Sequence, residues 1–529
     1  MTGVISVMES DREREAVDAA LAGRGTRLHD IILRRARTNP DAPALVEDDC
    51  IVSFAALAAM IESIAASLRG HGVRPGDRVM IIGENSVALV ALLFAVSALD
   101  AWAVLVNSRL SAREIDTVQA HSGARCTVYL TRESPEAAGH AARHRAEPFD
   151  LGAAGVARIS PLNEEAVPEP VSEDRDAQVA ALIYTSGTTG NPKGVMLTHG
   201  NLLFIAALSS VLRHVSPGDR VYGVLPISHV YGLTSVCLGS LFGGACVVLE
   251  ARYTPQKMAM ALSDDAITVC QGVPAMYAKL LAMLNERGTV LKAPGLRFMY
   301  AGGSPLDPAL KRDVEEYFHL PLHNGYGLTE AAPTISATRQ EAPRADCSVG
   351  PILPYEEVRI VGADGNDVAA GDAGELWVRG PNVMKGYYRN PAMTAAVINA
   401  DGWLNTGDLA RMEADGALFI VGRTKELIIR SGFNVYPVEV EAVLNSHPDV
   451  TQSAVVGREV EGNEEVVAFV ERAPGAAIDE AGLLGFAAES LAPYKRPAQI
   501  IFMSPLPAAA NGKVLKHKLK EMLDSFVLQ

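Results

Sequence analysis

Residues 184–194 read YTSGTTGNPKG and follow directly on the apolar run Val179–Ile183, VAALI. A short run of this kind predicts a buried strand, so the loop leaves the end of a sheet. Gly187, Gly190 and Gly194 permit tight turns and close backbone approach. Thr185, Ser186, Thr188 and Thr189 supply hydroxyls, and backbone N–H groups in such a loop can converge on an anion. Lys193 adds a compact positive charge suited to a phosphate oxygen. Gly-x-x-x-x-Gly-Lys-Ser/Thr cannot be laid over these residues, so this is not a Walker loop.

Outward from that loop, helix-like segments alternate with short apolar runs up to about residue 420. Arg78–Ile82, Ala103–Val106, Val179–Tyr184, Ala245–Leu249 and Phe298–Tyr300 are examples, and together they predict largely parallel, buried strands. Ile51–Gly70 has apolar residues at helical spacing and predicts a helix stopped by glycine. Val87–Val106 has the length of a membrane span, but Asp100 lies inside it. The reading taken is a buried helix to about Leu99, a turn at Asp100 and a core strand Ala103–Val106. Ala146–Ala177, rich in Pro, Glu, Asp and Ala, is expected to form a surface connection. After Gly422 the pattern changes. Helices over Glu439–Asn445 and Glu480–Leu491, strands over Gln452–Val456 and Glu465–Val470, and a basic amphipathic tail Lys513–Leu523 suffice for a small α+β domain.

The chain has 529 residues, too many for one core, so at least two domains are expected. Its apolar share of 48% and charged share of 21% are those of a globular protein. A net charge of −15 argues against gripping nucleic acid or an anionic membrane surface. The six cysteines, Cys50, Cys126, Cys237, Cys246, Cys270 and Cys347, include no Cys-x-x-Cys pair. They read as reduced, buried thiols of a cytoplasmic protein rather than a disulfide frame or zinc site. Residues 1–20 are polar and charged, unlike a secretory signal.

The loop at 184–194 resembles, almost residue for residue, the signature loop of the adenylate-forming superfamily: acyl-CoA synthetases, luciferases and peptide-synthetase adenylation domains. The resemblance continues in order along the chain. Asn324–Ala332, NGYGLTEAA, is similar to the segment that stacks on adenine and binds magnesium and phosphate. It implies Tyr326 as the adenine platform, Thr329 at the α-phosphate and Glu330 on Mg²⁺, with Asn324, Gly325 and Gly327 beside the nucleotide. Mg²⁺ favours hard carboxylate oxygen together with substrate phosphates, which suits such a glutamate. Tyr300–Leu306, YAGGSPL, resembles the strand-turn whose Gly302, Gly303 and Ser304 face adenine and the acyl tail. Trp403–Asp408, WLNTGD, resembles the segment whose aspartate accepts both ribose hydroxyls, a task for which a carboxylate is suited. Gly422–Leu427, GRTKEL, resembles the domain junction, with Arg423 reaching the ribose and Lys425 at the hinge. Pro507–Lys513, PAAANGK, resembles the segment carrying the catalytic lysine of the first half-reaction.

By this resemblance the fold is α/β: a large N-terminal domain, residues 1–422, of parallel-rich sheets layered with helices plus a β-barrel-like subdomain. A small mobile α+β domain, residues 423–529, carries Lys513 and a loop, Ser431, Gly432 and Phe433, that faces coenzyme A. The implied reaction uses ATP, Mg²⁺ and coenzyme A to convert a carboxylic acid to its adenylate and then its thioester. A fixed cation such as Lys513 offsets the repulsion of two anions brought together. Pro507 with Gly512-Lys513 also resembles an acetylation site, so a lysine acetyltransferase is an implied partner whose action would delete that charge. A homodimer is compatible with such a chain, and no nucleic-acid partner or membrane span is expected.

Amino-acid-activating relatives need an acidic residue against the substrate ammonium, and the matching stretch Val224–Gly244 contains none. His229 stands where fatty-acyl and aryl ligases place a histidine or aromatic near the carboxylate, the alternative being a hydrogen-bonded core histidine. Tyr231, Thr234, Met276, Gly303, Gly325, Ala332, Pro333 and Ile335 are expected to line an apolar acyl pocket. The acid expected is a fatty or aromatic monocarboxylic acid. Three rivals stand beside this reading: an enzyme loading a carrier protein's phosphopantetheine, a luciferase-like oxygenase, and an inactive nucleotide-binding scaffold. The oxygenase is disfavoured by aliphatic Ile429 where a basic residue would be expected. The scaffold is disfavoured because Thr329, Glu330, Asp408, Arg423 and Lys513 all match the family.

Overall fold

The computed structural model describes residues 11–185, 193–431, 433–460, 463–473, 475–508 and 514–527. One eight-stranded sheet contains the loop-bearing strand Val179–Thr185. Its order is Gly386–Tyr387, Lys193–Thr198, Val179–Thr185, Trp102–Asn107, Arg78–Gly83, Cys126–Tyr129, Val156–Ile159 and Glu147–Asp150. The four strands from Val179–Thr185 to Cys126–Tyr129 are parallel, and the outer pairs are antiparallel. A second eight-stranded sheet places the parallel strands Leu322–Gly327, Phe298–Ala301, Val269–Gly272, Arg220–Gly223, Cys246–Leu249 and Pro43–Glu47 side by side. Thr334–Ala337 and Cys50–Ser53 close its two edges antiparallel. A four-stranded antiparallel sheet, Glu357–Val361, Gly374–Arg379, Leu404–Met412 and Leu418–Arg423, supplies the third layer.

The long apolar run resolves as read. Val87–Ala98 is a helix buried nearly all round, Ser86 caps it by accepting the Leu89 N–H, and strand Trp102–Asn107 follows. Asp100 adopts a left-handed turn with φ 53°, and its carboxylate meets Arg27 Nε at 2.6 Å, so the charge inside the run is paired. Among the described residues no helix is long and apolar enough to cross a membrane.

Three expectations need correction. Ile51–Gly70 is not one helix: Cys50–Ser53 is an edge strand, Ser53 caps the helix Phe54–His71, and the helix ends at Gly72. Gly72 takes φ 106°, the left-handed conformation that glycine adopts without penalty, whereas Gly70 lies within the helix. Ala146–Ala177 is not only a connection, because Glu147–Asp150 and Val156–Ile159 pair as the sheet's outer edge. Edge strands carry one wet face and so lack the continuous apolar run of buried ones. Of the cysteines, Cys50 is exposed and Cys347 half-buried, while the other four are buried; all six are free.

After residue 423 the chain forms the hairpin Ile428–Arg430/Phe433–Val435 and a three-stranded sheet of Val450–Val460, Asn463–Arg472 and Gln499–Phe502. Helices Pro437–Asn445, Glu480–Ser490 and Lys516–Val527 accompany them. Its buried apolar clusters run from Ile428 onward, while the clusters of the preceding sheets end at Leu418. Arg423, Thr424 and Lys425, between the two sets, are exposed.

Candidate active site

Ser186, Gly187, Thr188, Thr189, Gly190, Gly432 and Lys513 lie outside the described residues. What the structure gives of the phosphate loop is its two posts. Strands Val179–Thr185 and Lys193–Thr198 pair antiparallel with Thr185 opposite Lys193. The edge strand Gly386–Tyr387 pairs in turn with the second of these, Tyr387 opposite Val195. That pairing brings Tyr387 under Lys193, whose Nζ stands 5.2 Å from the ring centroid. The Tyr387 hydroxyl donates to Glu330 Oε1 at 2.8 Å, and Met384 N–H donates to the Glu330 carbonyl at 2.9 Å. Burial first, and then the Glu330 carboxylate, push the Tyr387 hydroxyl far above its usual pKa, so it serves as a donor. Glu330 is half-buried and Thr329 buried on the single turn Thr329–Ala331. Tyr387 was not singled out in the sequence; the Gly-Tyr-Tyr at 386–388 was its sole local signal. Outside Lys193 a cleft of about 1020 Å³ opens, bordered by Arg113, His121, Tyr388 and Asn390.

A second cluster is built by antiparallel register. Asp408 sits opposite Arg423 in paired strands, and Arg423 Nε lies 2.9 Å from Asp408 Oδ1. The Tyr326 hydroxyl, from strand Leu322–Gly327, donates to Asp408 Oδ2. Asp408 is 2% exposed. The surrounding protein desolvates part of the half-exposed Arg423 side chain and so opposes its charge, yet the adjacent Asp408 carboxylate lifts its pKa above the usual value. Burial and then the same carboxylate hold Tyr326 protonated. Three of the sequence-predicted residues from three separate motifs therefore meet at one carboxylate. Asn324 is buried in the same strand as Tyr326. Its amide donates to the carbonyls of Cys347 and Ser348, and its Oδ1 accepts the Gly325 N–H, so it braces the strand.

Gly302 and Gly303 follow strand Phe298–Ala301, with Gly303 at φ 82° and half-exposed Ser304 beyond. A Cβ on Gly302 would lie 3.3 Å from the Tyr231 ring, and one on Gly325 would collide with the Tyr300 hydroxyl at 1.7 Å. Tyr231 and Thr234 are buried on the π-helical segment Tyr231–Leu238. Half-buried His229 precedes it, and its Nδ1 accepts the Tyr231 N–H at 3.3 Å. Met276, Ala332, Pro333 and Ile335 are buried, and a Cβ on Gly327 would strike the Pro333 carbonyl at 2.0 Å. Met276 packs against Gly272, one strand from Gly302. Tyr300, Arg213 and Gln271, which the sequence did not single out, border the same region.

In the C-terminal part, Ser431 N–H donates to Asn463 Oδ1 at 2.6 Å, and exposed Phe433 stacks on Tyr494 at 4.7 Å between centroids. Lys425 is exposed on the turn Thr424–Glu426. Lys516 pairs with Glu426 at 3.0 Å and Glu441 at 2.8 Å.

A nucleotide-activating site of this layout is matched by known proteins. A family model described as AMP-binding enzyme matches residues 32–388, and one described as AMP-binding enzyme C-terminal domain matches residues 439–513. The chain belongs to this AMP-binding enzyme family, within the adenylate-forming superfamily of acyl-CoA synthetases. It is 36% identical over 492 residues to a feruloyl-CoA synthase of Amycolatopsis sp, covering 92% of this chain and 97% of that one. It is 34% identical over 513 residues to the indoleacetate–CoA ligase of Aromatoleum aromaticum, covering 94% and 98%. The o-succinylbenzoate CoA synthetase of Bacillus subtilis, solved with an acyl-adenylate, superposes with a TM-score of 0.79 at 31% identity over 93% of this chain and 97% of that one. The same synthetase is also solved with ATP and a magnesium ion.

Proposed function

We propose that this protein is an AMP-forming acid–CoA ligase acting on an aromatic, benzoate- or cinnamate-like monocarboxylic acid. The observation that carries the reading is the junction of Tyr326, Asp408 and Arg423 on one buried carboxylate, opposite the Lys193–Tyr387–Glu330 chain. An ionised carboxylate offers roughly four acceptor sites. Tyr326 takes one and Arg423 is ion-paired beside another, leaving room for a ribose diol, with Tyr326 beneath adenine. The triphosphate runs from Thr329 toward Thr185 and Lys193. The aromatic class is supported by relatives named for ferulate, indoleacetate and o-succinylbenzoate.

In the first step the acid's carboxylate attacks the α-phosphorus of ATP in line and pyrophosphate leaves. Lys513 offsets the repulsion between the two anions, Thr329 holds the α-phosphate, and His229 lies beside the carboxylate. Positioning and charge neutralisation supply most of the acceleration. Among the described residues no cluster of three acidic, His or Cys side chains could cage a metal. One carboxylate facing substrate phosphates is, however, the arrangement Mg²⁺ favours, and Glu330 fits it. When bound, Mg²⁺ would neutralise phosphate charge there. In the second step the C-terminal part, residues 423–529, turns about Lys425 against residues 1–422, withdraws Lys513 and brings Ser431, Gly432 and Phe433 beside the pantetheine arm. The thiol then attacks the acyl carbon and AMP leaves. Acetylation of Lys513 would silence the first step, and free cysteines fit a reducing, cytoplasmic setting.

The test is ATP–pyrophosphate exchange over a panel of fatty, benzoic and cinnamic acids, followed by thioester formation with free coenzyme A. Exchange with aromatic acids and thioester release without any carrier protein are expected. Exchange confined to fatty acids, or acyl-AMP that free coenzyme A cannot discharge, would overturn the reading.

A further inference from the structure

The cleft of about 1020 Å³ outside Lys193 has a wall that the reaction does not use. Along the strands that flank it, side chains alternate between the two faces of the sheet. Ile183, Val195 and Tyr387 pack into the apolar cluster on one face. Tyr184, Met196 and Tyr388 pack into the cluster on the other, together with Ile115 and Val118 of helix Ala112–Ser122. The Tyr387–Glu330 bond belongs to the first face. The unused wall belongs to the second. Arg113, Asp116, Thr117 and Ala120 recur at helical spacing, so they share the side of that helix that borders the cleft. Strand Gly386–Tyr387 is the edge of the sheet, and the cleft reaches Lys193 around it.

The charges around this cleft do not cancel. Arg113 is exposed and has no ion pair among the described residues, where the Lys193 ammonium meets only the Tyr387 ring. Asp116 is the sole acid bordering the cleft among those residues. It is already held by Arg143 Nη1 at 2.6 Å and His144 Nε2 at 2.9 Å. Glu169 accepts from the Tyr388 hydroxyl at 2.6 Å, and Glu114 closes the capping box of the helix. Arg389 adds a further cation, its guanidinium 4.9 Å over the Tyr388 ring and donating to the His121 carbonyl at 3.1 Å. Two neutral groups stand between the walls. His121 Nδ1 is engaged by the Tyr184 hydroxyl at 2.8 Å, which leaves Nε2 for the cleft. Asn390 Oδ1 accepts the Met393 N–H, which leaves its NH2. In a chain of net charge −15 such a place is a local positive field that gathers anions.

An apolar or cationic ligand would leave Arg113 and Lys193 without a counter-charge. A guanidinium matches a pair of phosphoryl oxygens, and an ammonium serves as a point charge beside another. Because the donors stand on two walls, helix and sheet edge, the matching anion carries charge at two places. We propose that this cleft is a second anion site that takes a diphosphate group, between Arg113 and His121 on the helix and Asn390 and Lys193 at the sheet edge. It goes beyond the adenylation site. Pyrophosphate released on the Glu330 side of Lys193 finds a cationic berth on the other face of the sheet, away from the adenylate it would otherwise attack in reverse. ADP and the nucleotide end of coenzyme A carry the same diphosphate, so the experiment separates these sources.

The test is titration calorimetry of the full chain with its nucleotide site saturated by the unreactive α,β-methylene ATP. Inorganic pyrophosphate, ADP and coenzyme A are titrated in turn. A binding event that depends on Arg113 is expected, and the probe that binds tightest shows whether the diphosphate is taken free or on a nucleotide. Arg113→Glu, checked for folding by thermal melting, is expected to weaken that event about 10- to 100-fold, the loss of a charge-assisted bond. The affinity for the ATP analogue itself is expected to stay unchanged. Added salt should weaken probe binding in the parent protein, as it does for exposed charges. No probe binding beside the analogue, titrations unchanged in Arg113→Glu, or a parallel loss of analogue affinity in that variant would each overturn the proposal. An analogue that fails to bind the parent protein would count against the nucleotide site instead, and the dependence of the probe titrations on Arg113 would still decide this one.

Discussion

Replacing Asp408 by Asn tests the nucleoside junction most directly. The amide keeps the shape of the side chain but has one oxygen where the carboxylate has two. Its NH2 must then face either the Tyr326 hydroxyl, which now donates to Asp408, or the Arg423 guanidinium, which is ion-paired with it. One internal charge-assisted bond is lost, and one acceptor for the ribose becomes a donor. A hydrogen bond to a charged group contributes about 1.5–3 kcal/mol, so ATP KM is expected to rise about 10- to 100-fold. The ribose is bound alike before and during the reaction, so kcat should change far less than KM. Pyrophosphate exchange with ATP varied at saturating acid measures both, with thermal melting as the check on folding. An ATP KM within about twofold of the parent enzyme, or a loss confined to kcat, would refute the role given to Asp408.

Two further outcomes are expected. Tyr387→Phe removes the hydroxyl that donates to Glu330 at 2.8 Å but keeps the ring under Lys193. The Mg²⁺ concentration for half-maximal exchange should rise about 10-fold, the equivalent of one charge-assisted bond, and an unchanged Mg²⁺ titration would count against the link. His323 is 3% exposed and stacked on Phe298. Burial, then the Lys311 charge, push its pKa down to about 4, against about 6.5 in an unfolded chain. The unfolded chain therefore takes up the proton first, and the group's stability, full above pH 6.5, is lost as pH falls toward 4. Between pH 7 and pH 5 this amounts to about 2 kcal/mol, so urea unfolding of His323→Gln should fall less steeply over that interval than the parent, and parallel pH profiles would be the contrary result.

The buried strands were legible because they are apolar on both faces. Arg78–Gly83 and Trp102–Asn107 came within a residue of their sequence reading, and the break at Asp100 was readable from its charge. The edge strands Cys50–Ser53 and Glu147–Asp150 were not, because most of their side chains meet water and lose the pattern. The site divides the same way. Asp408 and Arg423 could be named from their motifs, but their contact depends on strand register, which local sequence does not state. Tyr387 reaches Glu330 across 57 residues through an edge-strand pairing, and Arg213 reaches Tyr300 across the interior. Neither residue carries a local pattern that distinguishes it from an ordinary surface tyrosine or helix-terminal arginine.

The separation of apolar clusters on either side of Arg423–Lys425 has a consequence for how such a protein can change over generations. Side chains packed in different clusters share few neighbours, and substitutions without shared partners tend to add rather than interfere. Mutations among the side chains packed around Tyr231 can therefore accumulate without matching adjustments among the residues after Ile428. A lineage can vary one part while inheriting the other intact.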